Sequence, residues 1–276
     1  MAGRTQLPLP QLDALPLGAH RALQALTDER LFAQAGVRIA FTSRAGGVSE
    51  GPYASLNCAL HVEDDERAVL RNREIVLEAL GAPDARLIVP SQVHGTNIVC
   101  VEQGSADEAQ RKAAEGADAL VVNIPETAAL LNYADCLPLI IVAPSGRFAV
   151  VHAGWRGAVA HIASKAARTL AAQAGEDPVQ FNAYIGPHIR SECFEVGAEV
   201  VEQFAAEFGE SVVVGERHVS LAGAVTCDLV AAGMNPQRIV DCEICTKCNP
   251  DEYFSYRATG GRCGRHSAVA VRHATA

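Results

Sequence analysis

Short, continuous runs of apolar residues dominate the hydrophobic pattern in the middle of the chain. Four such runs follow one another between residues 119 and 152, and Ala, Val, Leu and Ile supply most of their positions. Runs of this length, bounded by turn residues, are typical of strands that are buried on both faces. The pattern therefore predicts central strands at 119–122, 128–131, 137–142 and 148–152.

Alternating and helical patterns flank these central runs. Further strands are predicted at 37–42, 86–90, 97–102, 182–185, 239–244 and 268–272. Asp64 and Asp65 precede apolar residues at helical spacing, which predicts a capped helix that ends near Gly81. Other helices are predicted at 157–173, 197–208 and 221–234. Residues 1–36 mix Leu, Pro and Ala and predict a lead-in with a short helix, so residues 37–276 are expected to form one mixed α+β domain.

Composition restricts the classes of function. The chain has 276 residues, 49% of them hydrophobic, and a formal net charge of −9. This acidic balance argues against general nucleic-acid binding, which needs a basic surface. No apolar stretch resembles a signal peptide or a membrane span. Nine cysteines are an odd number, which leaves one unpaired in any disulfide scheme. We therefore expect a reduced, cytoplasmic protein, and the sequence leaves its oligomeric state open.

Three soft-metal ligands occur where the backbone is predicted to change direction. His94 lies between two predicted strands, Cys136 precedes the strand at 137–142, and His152 ends the strand at 148–152. If the last two strands are antiparallel neighbours, Cys136 and His152 meet at one edge of the sheet. Two imidazoles and a thiolate form a shell for zinc with a fourth position open. The alternative is that all three are ordinary buried residues.

Two other metal hypotheses are weaker. Cys242, Cys245 and Cys248 form a C-x-x-C-x-x-C pattern, with Cys263 further along the chain. Four cysteines can bind a structural zinc or an iron–sulfur cluster, but reduced thiols in a C-terminal hairpin are the favoured interpretation. Copper is not expected, because a multicopper oxidase needs clustered histidines and the chain has no His-x-His pair.

Motifs spread over residues 37–272 carry a family resemblance. In order, they are Ser43–Ser49, Ser55–Asn57, Gln92–Gly95, Gly116–Leu120, Ala134–Pro138, Val151–Gly157, Ile185–Pro187, Cys193–Val196 and Ser255–Arg257. Together they resemble the bacterial laccase-domain family. Its members are also called polyphenol oxidase-like proteins or purine nucleoside phosphorylases of that domain, and include the peptidoglycan editing factor. The chain departs from the family at Tyr133, where members often have Thr, a difference that we expect to bear on substrate preference.

The resemblance implies a fold, a metal and a reaction. The fold is a single four-layer α/β/β/α domain with mixed β-sheets, here a laccase-type catalytic domain over 37–276. The metal is zinc, held by His94, Cys136 and His152. The activities are phosphorolysis of adenosine, inosine and S-methyl-5′-thioadenosine, and deamination of adenosine. A nucleoside and phosphate are therefore the expected small-molecule partners. The alternative is a hydrolase or amidase that acts on peptidoglycan precursors, with Cys136 as nucleophile and His152 as base.

Phosphorolysis needs an anion site, and deamination needs a carboxylate that transfers protons. Arg44 beside the Gly46-Gly47 turn is one candidate for phosphate, and Arg156 at a strand-to-helix junction is another. Asn57 is a candidate for hydrogen bonds to a base or ribose, or else caps its own turn. Asp135 is the candidate carboxylate if the chain bends beside Cys136, and Asp118 is the other. Either is alternatively a structural acceptor.

Overall fold

The computed structural model describes residues 6–18 and 20–274. The strands within these ranges are β1 (Asp13–Leu17), β2 (His20–Thr27), β3 (Val37–Thr42), β4 (Arg86–Ile88), β5 (Ile98–Val101), β6 (Ala119–Val122), β7 (Thr127–Tyr133), β8 (Leu137–Val142), β9 (Phe148–Ala153), β10 (Asn182–Ile185), β11 (Val213–Val214), β12 (His218–Val219), β13 (Ile239–Asp241) and β14 (His266–Arg272). The helices are α1 (Glu29–Ala35), α2 (Glu66–Ala79), α3 (Ala106–Glu115), α4 (Trp155–Val159), α5 (Ile162–Ala174), α6 (Ala198–Phe208), α7 (Leu221–Ala231) and α8 (Tyr256–Thr259). None of these helices combines the length and apolar character that crossing a bilayer requires.

Two six-stranded sheets form the centre of the fold. Sheet I has the strand order β1-β2-β3-β14-β7-β4, and sheet II has the order β13-β10-β8-β9-β6-β5. Each combines antiparallel pairs with parallel ones, namely β4 with β7 in sheet I, and β5 with β6 and β10 with β13 in sheet II. The mixed sheets predicted by the resemblance are therefore confirmed.

Alternate residues of the strands supply three apolar layers. Ala268 and Ala270 of β14 face the layer between the sheets, whereas Val269 and Val271 face the layer that packs against α2. This is the two-residue period of a strand that is buried on both faces. The outer face of sheet II packs against α5, α6 and α7. The layers therefore follow the order α/β/β/α, as expected.

The segment before residue 37 contributes strands to sheet I. The predicted short helix is present as α1, but β1 and β2 precede it as a hairpin that pairs with β3. Pro16 lies opposite Gln24 in this hairpin, and such residues weaken the alternation by which a strand is recognised. Leu23 and Leu31 are fully buried, so the segment is part of the core of the molecule.

The helix predicted at 157–173 is in fact two helices. His161 has a φ of 62°, in the left-handed region, and separates α4 from α5. Its Nδ1 lies 2.9 Å from Oδ1 of Asp228 in α7, and Oδ2 of Asp228 accepts the Ser164 N–H at 2.8 Å. The single-helix prediction was wrong because this cap comes from a distant part of the chain.

Candidate metal centre and adjoining cavity

Strand pairing brings the three predicted ligands together. The strands β8 and β9 are antiparallel, with Pro138 opposite His152, so Cys136 arrives beside His152 as the sequence predicted. His94 lies in the turn between β4 and β5. One ligand atom from each of the three residues lies within 4.8 Å of the others. The imidazole rings of His94 and His152 are nearly perpendicular, with centroids 4.8 Å apart.

Asp118 orients two of the three ligands. Its Oδ1 lies 2.8 Å from Nδ1 of His152 and accepts the backbone N–H of His94 at 2.9 Å, while Oδ2 accepts the N–H of Gly95 at 2.7 Å. The carboxylate is fully buried. With Nδ1 of His152 occupied, Nε2 is the nitrogen left to bind a metal, as in many carboxylate–histidine–metal arrangements. Asp118 therefore positions His94 and His152. This agrees with the alternative given in the sequence analysis, in which Asp118 is a structural hydrogen-bond acceptor.

Two left-handed residues direct the ligand-bearing turns. His94 has a φ of 59° and Asp135, next to Cys136, has a φ of 85°. Such conformations are rare outside glycine and persist where the surroundings enforce them. Thr246 Oγ1 donates to Oδ1 of Asp135 at 2.7 Å, and the Arg257 N–H donates to Oδ2 at 2.6 Å. The Asp135 carboxylate therefore lines the site with both oxygens already hydrogen-bonded to protein.

Gly154 leaves room for the ligand cluster. A Cβ atom at this position would lie 2.9 Å from Cδ2 of His94 and 3.4 Å from Sγ of Cys136. The backbone of Gly154 has an ordinary φ of −67°, so the requirement for glycine is one of space. The strand-to-helix junction thus comes into contact with the metal ligands themselves.

The electrostatics of the cluster favour a cation. Burial raises the pKa of the Cys136 thiol, but the charge and hydrogen bond of His152, with a smaller contribution from His94, outweigh burial and lower it to about 6. Burial lowers the pKa of His152, but Cys136 and Asp118 outweigh burial and raise it to about 9. The thiolate is thus balanced by a protonated imidazole, whose place a metal ion would take. One sulfur and two nitrogen donors within a few ångströms fit a borderline-soft metal ion.

A cavity of about 400 Å³ opens beside the cluster. Besides the ligands, its polar lining includes His61, Gln92, Asn132, Tyr256, Arg257 and Arg265. Asp135 is the one carboxylate among the described lining residues, and its charge is offset by two guanidinium groups. Burial, followed by the charges of Arg265 and Arg73, lowers the pKa of His61. The cavity therefore suits a small molecule with an anionic group.

The structure does not bring three of the predicted substrate residues to this cavity. Arg44 donates to the carbonyls of Ala54 and Pro250 at 2.9 and 2.7 Å. Asn57 is fully buried and donates to Asp64. Arg156 is exposed, with its guanidinium carbon 4.5 Å from the centre of the Trp155 ring.

None of these three is among the described residues that line the cavity. The reason is that the first two hold loops together and the third points to solvent. Asn57 also accepts the backbone N–H of Arg265 at 2.9 Å, so it supports a lining residue from behind.

Sequence reasoning missed His61, Asn132 and Arg265 and left Arg257 without a role. His61 and Arg265 lie in irregular segments, where no hydrophobic period predicts the direction of a side chain. The only sequence signal for Arg257 was its place in the Ser255–Arg257 motif. A cationic residue in a loop or a short helix is usually solvated, which is why the charge pattern did not single out Arg257 or Arg265.

Comparisons with known proteins agree with this geometry. The model of a family described as multi-copper polyphenol oxidoreductase laccase matches residues 38–273. A purine nucleoside phosphorylase from Deinococcus radiodurans is 37% identical over 235 residues, covering 83% of this chain and 87% of the relative. A protein named adenosine deaminase RL5, from an unknown prokaryotic organism, is 35% identical and covers 83% of this chain and 92% of its own. The crystal structure of YlmD from Geobacillus stearothermophilus superimposes with a TM-score of 0.81 at 29% identity, over 95% of this chain and all of that one.

Proposed function

The chain belongs to the multi-copper polyphenol oxidoreductase laccase family, and within it we propose a zinc-dependent enzyme that cleaves purine nucleosides with phosphate. Two relatives carry the names purine nucleoside phosphorylase and adenosine deaminase. The proposed substrates are adenosine, inosine and S-methyl-5′-thioadenosine, with deamination of adenosine as a second activity. The observation that carries the proposal is the pair Arg257 and Arg265, which lines the same cavity as the three metal ligands.

Phosphorolysis needs an anion site beside a polarising centre. A phosphate oxygen forms a bond to C1′ of the ribose while the bond from C1′ to the purine nitrogen breaks, and the departing purine takes the bonding electrons and a proton. Nη1 of Arg257 donates to the Glu195 carbonyl at 2.9 Å, and Nη1 of Arg265 donates to the carbonyls of Cys263 and Gly264 at 2.7 and 2.9 Å. The remaining N–H groups of the two guanidiniums are the proposed phosphate donors, since guanidinium groups match phosphate geometry. A zinc ion held by His94, Cys136 and His152 would supply a Lewis acid beside this anion site.

The remaining lining residues suit the base and the proton. The Tyr256 side chain is 54% exposed, and the guanidinium carbon of Arg265 lies 5.8 Å from the centre of its ring. We propose that the exposed part of this ring contacts the purine. The lowered pKa of His61 favours its neutral imidazole, a form that can both accept and donate a proton. The same neutral imidazole serves deamination, where water adds to C6 of adenosine and ammonia leaves. This role fits His61 better than Asp135, whose oxygens are already engaged.

A second candidate function follows from Cys136, His152 and Asp118. Thiol, imidazole and carboxylate lie in line as in a cysteine hydrolase, and the pKa of Cys136 is lowered to about 6. A hydrolase or amidase for peptidoglycan precursors would use this array without metal. The position of His94 beside both residues favours coordination, because such a hydrolase gives that imidazole no role.

The test is an incubation of metal-analysed protein with adenosine or inosine, with and without phosphate. We expect ribose 1-phosphate and free purine only when phosphate is present, and some inosine from adenosine in either case. About one equivalent of zinc should be held by His94, Cys136 and His152, and Cys136→Ser should lower the zinc content of the protein by that amount. A metal-free protein that hydrolyses amides and forms no ribose 1-phosphate would overturn the proposal in favour of the hydrolase.

The anion site has a test of its own. Arg265→Gln should raise KM for phosphate by about 10- to 100-fold, the value of a charged hydrogen bond, with a much smaller effect on KM for the nucleoside. The matched control is Arg156→Gln, an exposed arginine outside the cavity, which should leave both constants unchanged. If Arg156→Gln raised KM for phosphate and Arg265→Gln did not, the phosphate site would lie at the helix junction of Arg156 instead.

A further inference from the structure

A second cluster of thiols lies apart from the three ligands of the first. The Sγ atoms of Cys193, Cys245 and Cys248 all lie within 4.8 Å of one another, and those of Cys193 and Cys248 are 3.4 Å apart. Cys193 comes from the loop before α6, whereas Cys245 and Cys248 flank one turn of the segment after β13. A C-x-x-C turn joined by a thiol from a distant loop is a common arrangement of zinc ligands.

The membership of this cluster differs from the set that the sequence suggested. Cys242 packs against the apolar layer between the sheets, and Cys263 is buried in a small cluster with Ala134 and Phe254. The regular C-x-x-C-x-x-C spacing placed Cys242 with the others, but Cys193, which is 52 positions before Cys245 by residue number (245 minus 193), takes its place. The 51 residues between Cys193 and Cys245 hide this partner from any spacing rule.

The surroundings of the three sulfur atoms suit thiolates that are bound to a cation. The Arg190 backbone N–H donates to Sγ of Cys245 at 3.5 Å, a contact that stabilises negative charge on sulfur. Burial is graded across the cluster, since Cys245 is buried, Cys193 half-buried and Cys248 exposed, which leaves one side open for an ion to enter.

We propose that Cys193, Cys245 and Cys248 form a second metal site, which binds zinc through three sulfur ligands with its fourth position open to solvent. A soft, borderline cation with a tetrahedral preference fits three thiolates better than a hard ion such as magnesium does. Three thiolates and one Zn²⁺ carry a net charge of −1, so a neutral water suits the fourth position.

The site would brace one wall of the catalytic cavity. Cys193 directly precedes Phe194, which lines that cavity. Cys245 directly precedes Thr246, whose hydroxyl holds Asp135 in the left-handed conformation beside Cys136. A metal ion that joins the two segments would therefore fix the turn that presents a ligand of the first centre. This role is structural, and it stands on the geometry of the thiols whether or not the nucleoside activity is found.

The experiment is a cobalt titration in the Cys136→Ser background, under reducing and oxygen-free conditions. Thiolate-to-cobalt absorption in that variant must come from cysteines outside the first centre. We expect about one equivalent of cobalt with such absorption, displaced by zinc. Adding Cys248→Ser should abolish it, whereas adding Cys227→Ser, an exposed cysteine in α7 away from the cluster, should not.

Several results would overturn the proposal. They are the absence of thiolate–cobalt absorption in Cys136→Ser, its persistence after both Cys193→Ser and Cys248→Ser, and a Cys193–Cys248 disulfide found by mass spectrometry in protein prepared without oxygen. Far-UV circular dichroism of each variant confirms that it is folded, and Cys248 is exposed enough for serine to be tolerated. The experiment measures metal content and absorption. Its outcome therefore does not depend on whether the phosphorolysis assay succeeds.

Discussion

Asp118 illustrates how one buried carboxylate organises a site at the scale of a single residue. It accepts backbone N–H groups from the His94 turn and faces Nδ1 of His152. Burial raises its pKa, but the hydrogen bonds from His152, Gly95 and His94 outweigh burial and lower it. The ionised carboxylate is thus the form that the turn and the imidazole both require.

Asp118→Asn should weaken metal binding at the first centre by about 10- to 100-fold, because the outer partner of a ligating histidine is lost. Competition with a chromogenic chelator measures this affinity. Asp84→Asn, at an exposed carboxylate in the turn before β4, is the control and should have no effect. An unchanged affinity in Asp118→Asn would show that the His94 turn holds its shape without the charge.

His266 gives the protein a sensitivity to acid. Burial, and then the charge of Arg265, lowers its pKa from 6.5 to about 3, and its ring lies between Tyr253 and Phe254. Because the unfolded chain takes up this proton below about pH 6.5 and the folded chain does not, stability falls as the pH falls. The loss should reach about 2 kcal/mol at pH 5. Urea unfolding of His266→Phe should lack this part of the pH dependence, whereas His218→Phe should keep it.

At this scale the sequence predicted the clustering of the candidate metal ligands better than the position of the candidate substrate residues. His94, Cys136 and His152 were recognisable because each soft ligand lies beside a strand end or turn, and pairing of β8 with β9 then fixes their distance. Arg44 and Asn57 carry the right chemistry, but hydrogen bonds to Pro250 and Asp64 hold them in loops. The partners of a loop side chain depend on distant segments, which no local pattern records.

The break between α4 and α5 shows the same limit at the scale of an element. Helix propensity continues through residues 157–173, so the sequence predicts one helix. Asp228 interrupts it by accepting the Ser164 N–H and facing His161. Central strands were predicted closely because both of their faces are buried, whereas β1 and β2 were missed because proline and polar residues obscure their period.

Asp228→Ala should lower the free energy of unfolding by about 1–2 kcal/mol, since it removes a side-chain cap from the first turn of α5. The midpoint of urea unfolding measures the loss. Glu202→Ala, an exposed carboxylate on α6, is the control and should change stability by only a few tenths of a kcal/mol. Equal stability in both variants would show that the α4–α5 break is maintained by packing alone.

For the whole molecule, the first part of the chain fastens the two sheets together. Arg238 donates to the Leu7 carbonyl and Asn182 to the Pro8 carbonyl, while the Tyr184 hydroxyl donates to Asp28. Asn182 and Tyr184 belong to sheet II, and Arg238 directly precedes its strand β13. All three therefore contact the N-terminal segment, whose β1–β2 hairpin belongs to sheet I. The family resemblance implied the four-layer order, but it did not predict these hydrogen bonds between the N-terminal segment and sheet II.

A chain that begins at residue 37 should fail to fold stably. It would lose the buried side chains of Leu23 and Leu31 and would expose β3 as a long apolar edge, which favours aggregation. Soluble yield and thermal unfolding of 37–276, beside the full chain, measure the effect. If the shortened protein were soluble with an unchanged Tm, the proposed division at residue 36 would be a true domain boundary.

The junction at Gly154 also gives the molecule a built-in optical probe. Trp155 is the single tryptophan of the chain, it is half-buried at the start of α4, and its neighbour Gly154 touches the ligand cluster. All indole fluorescence therefore comes from the residue next to Gly154, which contacts the candidate metal ligands. In a Cys248→Ser background, which removes the proposed second site, loading with a paramagnetic ion such as cobalt should quench that emission. Occupancy of the first centre can then be followed in real time without any label.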